Sequence, residues 1–149
     1  MKHRLIIGCA SLVLLAANVV LAQNTLPVGM WKTIDDKTGQ DKSIVEITEQ
    51  DGVLTGKVLE ILTEPEGGKN KLCDKCKGER KDQPVVGMTI LWGLARDGDD
   101  WKGGKILDPK NGKIYKSKLQ VSDDGKELEV RGFIGLALIG RTQTWKRAE

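Results

Sequence analysis

Two cysteines in the stretch KLCDKCKGERK are the residues of this chain whose types and spacing most resemble a chemical site. Cys73 and Cys76 lie three positions apart among lysines and an arginine. Such a pair could supply half of the ligands of a zinc site, or form a redox centre whose thiol pKa is lowered by nearby cations. It could also close a small disulfide. The remainder of the sequence bears on which of these three is favoured.

The beginning of the chain has the order of a secretory signal peptide. Lys2 and Arg4 precede an uncharged run at residues 5–17, and small residues ending at Ala22 resemble a signal-peptidase site. We therefore predict that residues 1–22 are removed and that residues 23–149 form one domain, exported to the bacterial periplasm or secreted. We expect no transmembrane segment in the mature chain. Losing Lys2 and Arg4 lowers the formal net charge from +3 to +1, which argues against a nucleic-acid partner.

Cleavage would also remove the single histidine, His3, and the third cysteine, Cys9. A chain without histidine has no imidazole to activate a serine or cysteine nucleophile or to bind zinc. Phosphate-binding loops and nucleophile elbows are absent from the sequence as well. We therefore predict no enzymatic activity, no metal and no cofactor. In an exported protein we expect Cys73 and Cys76 to form a disulfide, with a thiol redox role as the alternative.

The elements that must position these residues are short β segments. Asp-Gly, Asn-Gly and similar turn sequences separate them, and no stretch shows the 3.6-residue periodicity of a helix. The predicted strands are residues 29–34, 43–49, 53–62, 87–95, 101–107, 114–121, 127–135 and 138–147. Short connections favour pairing in chain order, and eight strands can close, so we predict an all-β, antiparallel, up-and-down barrel. The cysteines lie in the long connection at residues 63–84.

The last predicted strand carries the strongest candidates for a ligand site. Arg141 and Trp145 alternate along it and share one face. If that face points inward, a cation would lie beside an aromatic wall, which suits an amphipathic anion. Arg131, Trp92 and Tyr115 are further candidates for ligand contacts.

The turn DPKNG joins the fifth and sixth predicted strands. Asp108 can accept hydrogen bonds from backbone N–H groups of the turn, and Gly112 can adopt the positive φ that the turn needs. We interpret both residues as structural.

Several motifs resemble the bacterial exported family called domain of unknown function 2147. They are GMW (29–31), CDKCKGERKDQPVVGM (73–88), LWGL (91–94), GGKILDPKNGKIY (103–115), VRGFIG (130–135) and GRTQTWKR (140–147). The family is similar in architecture to lipocalins, so the resemblance implies a lipocalin-like barrel without an established activity. Lipocalins place Gly-x-Trp on the first strand and an arginine on the last. Gly29 and Trp31 match this pattern, with Arg147 or Arg141 as the arginine that would cover the indole.

These observations favour a protein of the bacterial envelope that binds a small hydrophobic or amphipathic anionic ligand inside a barrel. Two alternatives remain open at this point. One is an interaction or inhibitor module that contacts an envelope protein through residues 63–84, and the other is a thiol redox protein that uses Cys73 and Cys76.

Overall fold

The computed structural model describes residues 25–63, 68–136 and 138–148, which form a closed barrel. Each strand pairs antiparallel with the next in the chain, and the last pairs with the first. The strands are β1 Gly29–Ile34, β2 Asp41–Gln50, β3 Val53–Ile61, β4 Thr89–Asp97, β5 Asp100–Asp108, β6 Lys113–Val121, β7 Glu127–Phe133 and β8 Gly140–Arg147. The predicted eight-stranded up-and-down barrel is confirmed. The predicted signal peptide, residues 1–22, lies outside the described residues and stays a prediction.

The two ends of the barrel are built differently. Tight turns at residues 51–52 and 98–99 and a short loop at 122–126 form one end, here called the closed end. The longer connections, residues 35–40, 62–88, 109–112 and 134–139, form the open end. Large buried side chains concentrate in the half of the barrel near the closed end: Trp31, Ile47, Leu54, Leu94, Trp101, Leu119 and Leu128. Burial of each is worth roughly 1.5–3 kcal/mol relative to exposure, so this half of the barrel is filled by packed side chains.

The predicted fourth strand, residues 87–95, is shifted by two residues from β4, and a further difference from the predicted strands lies between β7 and β8. We predicted strands through residue 135 and again from residue 138, because apolar residues continue there. The structure instead ends β7 at Phe133 and begins β8 at Gly140. The Ile139 N–H donates to the Leu136 carbonyl at 3.0 Å, and Gly135 has a φ of +66°, so the chain turns rather than extending. The apolar character of these residues therefore led to the incorrect prediction of a loop as strand.

The long connection between β3 and β4 is an ordered loop that contains the disulfide Cys73–Cys76. Two single-turn 3₁₀ helices, Gly68–Asn70 and Gly78–Arg80, lie within it. Leu72 and Pro84 form an isolated antiparallel bridge, and the Cys73 N–H donates to the Gln83 carbonyl at 2.8 Å. Because backbone bonds join its two arms, the loop is a short ribbon, and the disulfide lies at its tip.

The disulfide packs against the turn between β5 and β6. Cys73 Sγ lies 3.7 Å from the Pro109 carbonyl oxygen, and both cysteines are almost fully buried. Gly112 has a φ of +70°, and a Cβ added there would lie 1.9 Å from the Lys75 carbonyl oxygen. The contact between these two connections therefore requires a residue without a side chain at position 112.

We expect Gly112→Ala to destabilise the protein through both strain and overlap. Gly98 is a matched control, since its φ is +65° and a Cβ there would meet no atom within 4 Å. Gly98→Ala should lower the free energy of unfolding by about 1 kcal/mol through left-handed strain alone. Gly112→Ala should cost a further amount of about 1–3 kcal/mol through overpacking, measured by urea denaturation. Equal losses for the two variants would show that the two connections are not in tight contact.

Candidate ligand-binding cavity

A cavity of about 700 Å³ occupies the half of the barrel near the open end. Val58, Ile61, Leu107 and Val130 form part of its apolar wall, and Trp145 lies deepest on the β8 side. The Trp145 indole is buried, and its N–H donates to Gln143 Oε1 at 3.4 Å. The volume falls within the range of roughly 300–1,000 Å³ that is usual for sites of small organic molecules.

Three lysines line the mouth of this cavity. Lys42 is the second residue of β2, Lys71 belongs to the disulfide loop and Lys110 lies in the β5–β6 turn. Within the described part of the chain, none of the three forms an ion pair. An anion that reached the mouth would meet Lys71 and Lys110, together with Lys42, whose charge also acts on Asp35.

The carboxylates that line the mouth are engaged with their own turns. Asp35 Oδ1 accepts hydrogen bonds from the N–H groups of Lys37 and Thr38, at 2.9 and 3.0 Å. The N–H bonds from Thr38 and Lys37 hold the pKa of Asp35 below its ordinary value of 3.8. The depressed pKa means that the ionised form stabilises this turn above that value, and the contribution is lost as the pH falls through the lower folded-state pKa. Asp108 likewise accepts from the Lys110 N–H at 2.9 Å.

Arg141 and Gln143 also line the mouth, and both contact a carboxylate of the β1–β2 connection. Arg141 forms an ion pair with Asp36 at 2.9 Å, and Gln143 Nε2 donates to the same oxygen, Asp36 Oδ2, at 2.9 Å. Asp36 therefore occupies the position that an anionic group bound to Arg141 would take. Both side chains of the ion pair are well exposed, so the pair adds little to stability.

The structure brings together three of the predicted ligand contacts and separates two others. Arg141, Trp145 and Tyr115 line the cavity, and the Tyr115 hydroxyl accepts a hydrogen bond from Asn111 at 3.0 Å. Arg131 alternates with the cavity residues of β7 and lies on the outer face, where it donates to Thr142 Oγ1 at 2.9 Å.

Trp92 is the second candidate that does not line the cavity. Its ring lies under the guanidinium of Arg80, 4.6 Å from that group to the ring centroid. Trp92 therefore helps to anchor the disulfide loop to the outside of β4. Alternation could not show this in advance, because the segment around Trp92 is apolar at successive positions.

Sequence reasoning missed several residues of the mouth. Asp36, Lys71 and Lys110 come from three different connections and Lys42 from the start of β2, and no motif links the four. The available signal was the barrel topology itself, since connections after odd-numbered strands of an up-and-down barrel meet at one end.

The opposite end of the barrel is sealed by Arg147 and Trp31. The Arg147 guanidinium lies over the Trp31 ring, 4.1 Å from its centroid, and donates to the carbonyl oxygens of Gly125, Val28 and Leu26 at 2.6, 3.1 and 2.8 Å. Burial lowers the pKa of Arg147. The Trp31 indole N–H donates to the Pro27 carbonyl at 2.7 Å. Bonds from one guanidinium thus join the N-terminal segment, β8 and the β6–β7 loop.

Arg141 is not part of this seal. It lies at the other end of β8. Of the two arginines that the Gly-x-Trp pattern allowed, Arg147 is therefore the one that covers the indole. Gly29 precedes Trp31 with a φ of +127°, and a Cβ there would lie 3.0 Å from an Arg147 nitrogen.

Within residues 25–63, 68–136 and 138–148, no helix has the length and apolar character needed to cross a membrane. The same residues contain no cluster of three or more histidine, cysteine, aspartate or glutamate side chains suited to a metal ion.

A closed eight-stranded antiparallel barrel with one sealed end and a cavity at the other is a lipocalin-like barrel. The chain is similar in structure to protein HP1028 from the human pathogen Helicobacter pylori, which belongs to the lipocalin family. The TM-score is 0.72, the sequence identity is 23%, and the match covers 84% of each chain. The family model described as an uncharacterized protein conserved in bacteria, DUF2147, matches residues 29–147, and the chain belongs to that family. No curated protein matches the chain.

We expect Arg147→Lys to weaken the sealed end. Lysine keeps the charge but cannot stack flat on the indole or reach three carbonyl oxygens at once, so the free energy of unfolding should fall by about 2–3 kcal/mol. Lys146→Arg, on the outer face of the same strand, is the control and should change it by less than about 0.5 kcal/mol. Thermal and urea unfolding measure both. A loss of under about 0.5 kcal/mol for Arg147→Lys would mean that the seal does not depend on the guanidinium.

Proposed function

We propose that this protein binds a small amphipathic anion, with its apolar tail in the cavity and its anionic group at the mouth. The observation that supports this is the arrangement of one cavity, apolar inside and cationic at its opening. Burial of the tail against Val58, Val130 and Trp145 would supply affinity. Lys71, Lys110 or Arg141 would select the charge of the head group.

The proposal is binding without catalysis. Asp35 and Asp108, the carboxylates that line the mouth, accept hydrogen bonds from backbone N–H groups of their own turns, so neither is arranged as a general acid or base. A redox role for the cysteines is not favoured either, because thiol exchange needs access to a sulfur and both cysteines are buried. The disulfide loop instead contributes Lys71 and Val85 to the cavity. This placement favours a role in the ligand site over an independent interaction module.

Titration with three amphiphiles of equal chain length tests the proposal. Dodecanoate, dodecanol and dodecyltrimethylammonium share a tail and differ in head-group charge. Tryptophan fluorescence follows binding, because Trp145, one of the four tryptophans, lines the cavity. Below micellar concentrations we expect a saturable change with dodecanoate, roughly five- to tenfold weaker binding of dodecanol, and no saturable binding of the cation. The double variant Lys71→Gln/Lys110→Gln should weaken dodecanoate binding and leave dodecanol unchanged. No saturable change with any of the three would contradict the proposal.

Two variants separate the cavity and the head-group site within the same titration. A Cβ at Gly132 would meet its nearest neighbour at 3.4 Å, so Gly132→Leu can fill cavity space without a backbone clash, and we expect it to block both ligands. Glu129→Leu, on the outer face of the same strand, is its control. Asp36→Asn should release Arg141 and raise dodecanoate affinity about two- to fivefold. Unchanged affinity in Gly132→Leu would place binding elsewhere.

Export to the periplasm or the medium is part of the proposal and rests on residues 1–22. A disulfide between Cys73 and Cys76 supports it, because disulfides persist in oxidising compartments. Intact-mass measurement of protein from the extracytoplasmic fraction should give a chain that begins at Gln23. Ala22→Tyr should block cleavage, since the peptidase accepts a small residue there. A full-length chain confined to the cytoplasm would refute export.

A further inference from the structure

The β7–β8 loop presents large apolar side chains to solvent at the open end. Leu136 is 71% exposed and Leu138 is 89% exposed, and Ile134 and Ile139 beside them are exposed as well. These four side chains are here called the apolar tip. The loop is ordered by its own backbone, because the Ile134 N–H donates to the Ile139 carbonyl at 3.1 Å. A hydrogen-bonded turn that exposes aliphatic side chains to water indicates a surface that binds a partner.

Other exposed apolar side chains lie at the same end. Leu62 follows β3, Leu72 and Val86 belong to the disulfide loop, and Ile114 lies at the start of β6. Together with the apolar tip, they surround the cavity mouth from four sides. Ile134 and Ile139 of the tip also line the cavity. Eight of the twelve large apolar side chains that are exposed in the described part of the chain thus lie at the open end.

Charge is distributed in the same direction along the barrel. Lys71, Lys110 and Arg141 lie at the mouth together with Ile134 and Ile139. The connections of the closed end contain Asp51, Asp99, Asp123 and Asp124, with Lys126 as their one cation. By sequence, the connections of the open end hold eight lysines and arginines against seven aspartates and glutamates. An anionic surface would therefore repel the closed end more strongly than the open end.

We propose that the open end binds the surface of an anionic lipid bilayer, with the apolar tip inserted among the head groups. Aliphatic side chains flanked by lysines are the composition of interfacial membrane-binding segments. A protein partner is a poorer fit, because the tip projects from the barrel and contains no aromatic side chain, whereas protein interfaces are enriched in aromatic residues at their centre. Membrane binding does not require that the cavity holds a ligand. If it does hold one, the mouth would face the bilayer from which an amphiphile could enter.

Flotation of the disulfide-bonded protein with lipid vesicles tests this inference. Vesicles of phosphatidylcholine with about a third phosphatidylglycerol should bind the protein, and added salt should weaken the binding, because the attraction is partly electrostatic. Leu136→Ser/Leu138→Ser should lower the vesicle partition coefficient at least tenfold. Lys71→Gln/Lys110→Gln should lower it roughly fivefold per lysine on anionic vesicles, with little effect on pure phosphatidylcholine.

The matched control replaces two exposed apolar residues of the closed end, Met30→Ser/Val53→Ser, and should leave partitioning unchanged. Melting temperatures of all variants show whether they are folded. Equal partitioning of the apolar-tip variant and the parent, or no partitioning of the folded parent, overturns the inference. So does concentration-dependent self-association that the apolar-tip substitutions abolish while vesicles bind nothing. Because the phospholipids are themselves amphiphiles, Gly132→Leu separates the two proposals: it fills the cavity and leaves the apolar tip unchanged, so it should partition like the parent protein.

Discussion

The rest of the structure depends on closure of the sheet between β1 and β8. The paired stretch that closes it is short. Only Trp31–Arg147 and Lys32–Lys146 are paired across this seam, whereas neighbouring strands elsewhere pair over longer stretches. The stack of Arg147 on Trp31 lies at this same place. One guanidinium therefore supports the seam, the N-terminal segment and the β6–β7 loop together, which explains why the sealed end can be built from very short turns.

The sealed end allows the other half of the barrel to remain hollow. Large side chains fill the closed half, where Leu54, Leu94 and Leu128 are fully buried, and provide apolar burial near the seam. Toward the mouth, Gly132 and Val130 leave space. The wall there is completed by the disulfide loop, which is anchored by Arg80 on Trp92 and by the contact of Lys75 with Gly112. A cavity of this kind depends on connections as much as on strands.

The strands could be predicted from the sequence because turn signals and β segments alternate regularly. The seal could be predicted because the resemblance to lipocalins implies an arginine of the last strand on the indole of Gly-x-Trp. The sequence shows that Arg141, Gln143 and Trp145 share one face of β8. It does not show whether that face points into the barrel, so the prediction was made on the condition that it does. The mouth could not be predicted. Lys42, Lys71 and Lys110 are ordinary surface residues in sequence, and only the topology brings them to one end. The outward position of Trp92 could not be predicted either, because it is set by a shift in the pairing of β4 with β3.

The seam between β1 and β8 also connects the proposed ligand site to the barrel wall. β1 and β8 are not paired toward the open end, where Asp36 contacts Arg141 and Gln143 across the gap. An anionic group that binds Arg141 must displace Asp36, which would free the β1–β2 connection from β8. Because the Asp36–Arg141 pair is exposed and weak, displacement costs little, and a bilayer surface would supply competing anions at high local concentration. Under the proposed binding of an anion, the open half of the seam is therefore where a ligand would change contacts between strands, through the position of Asp36.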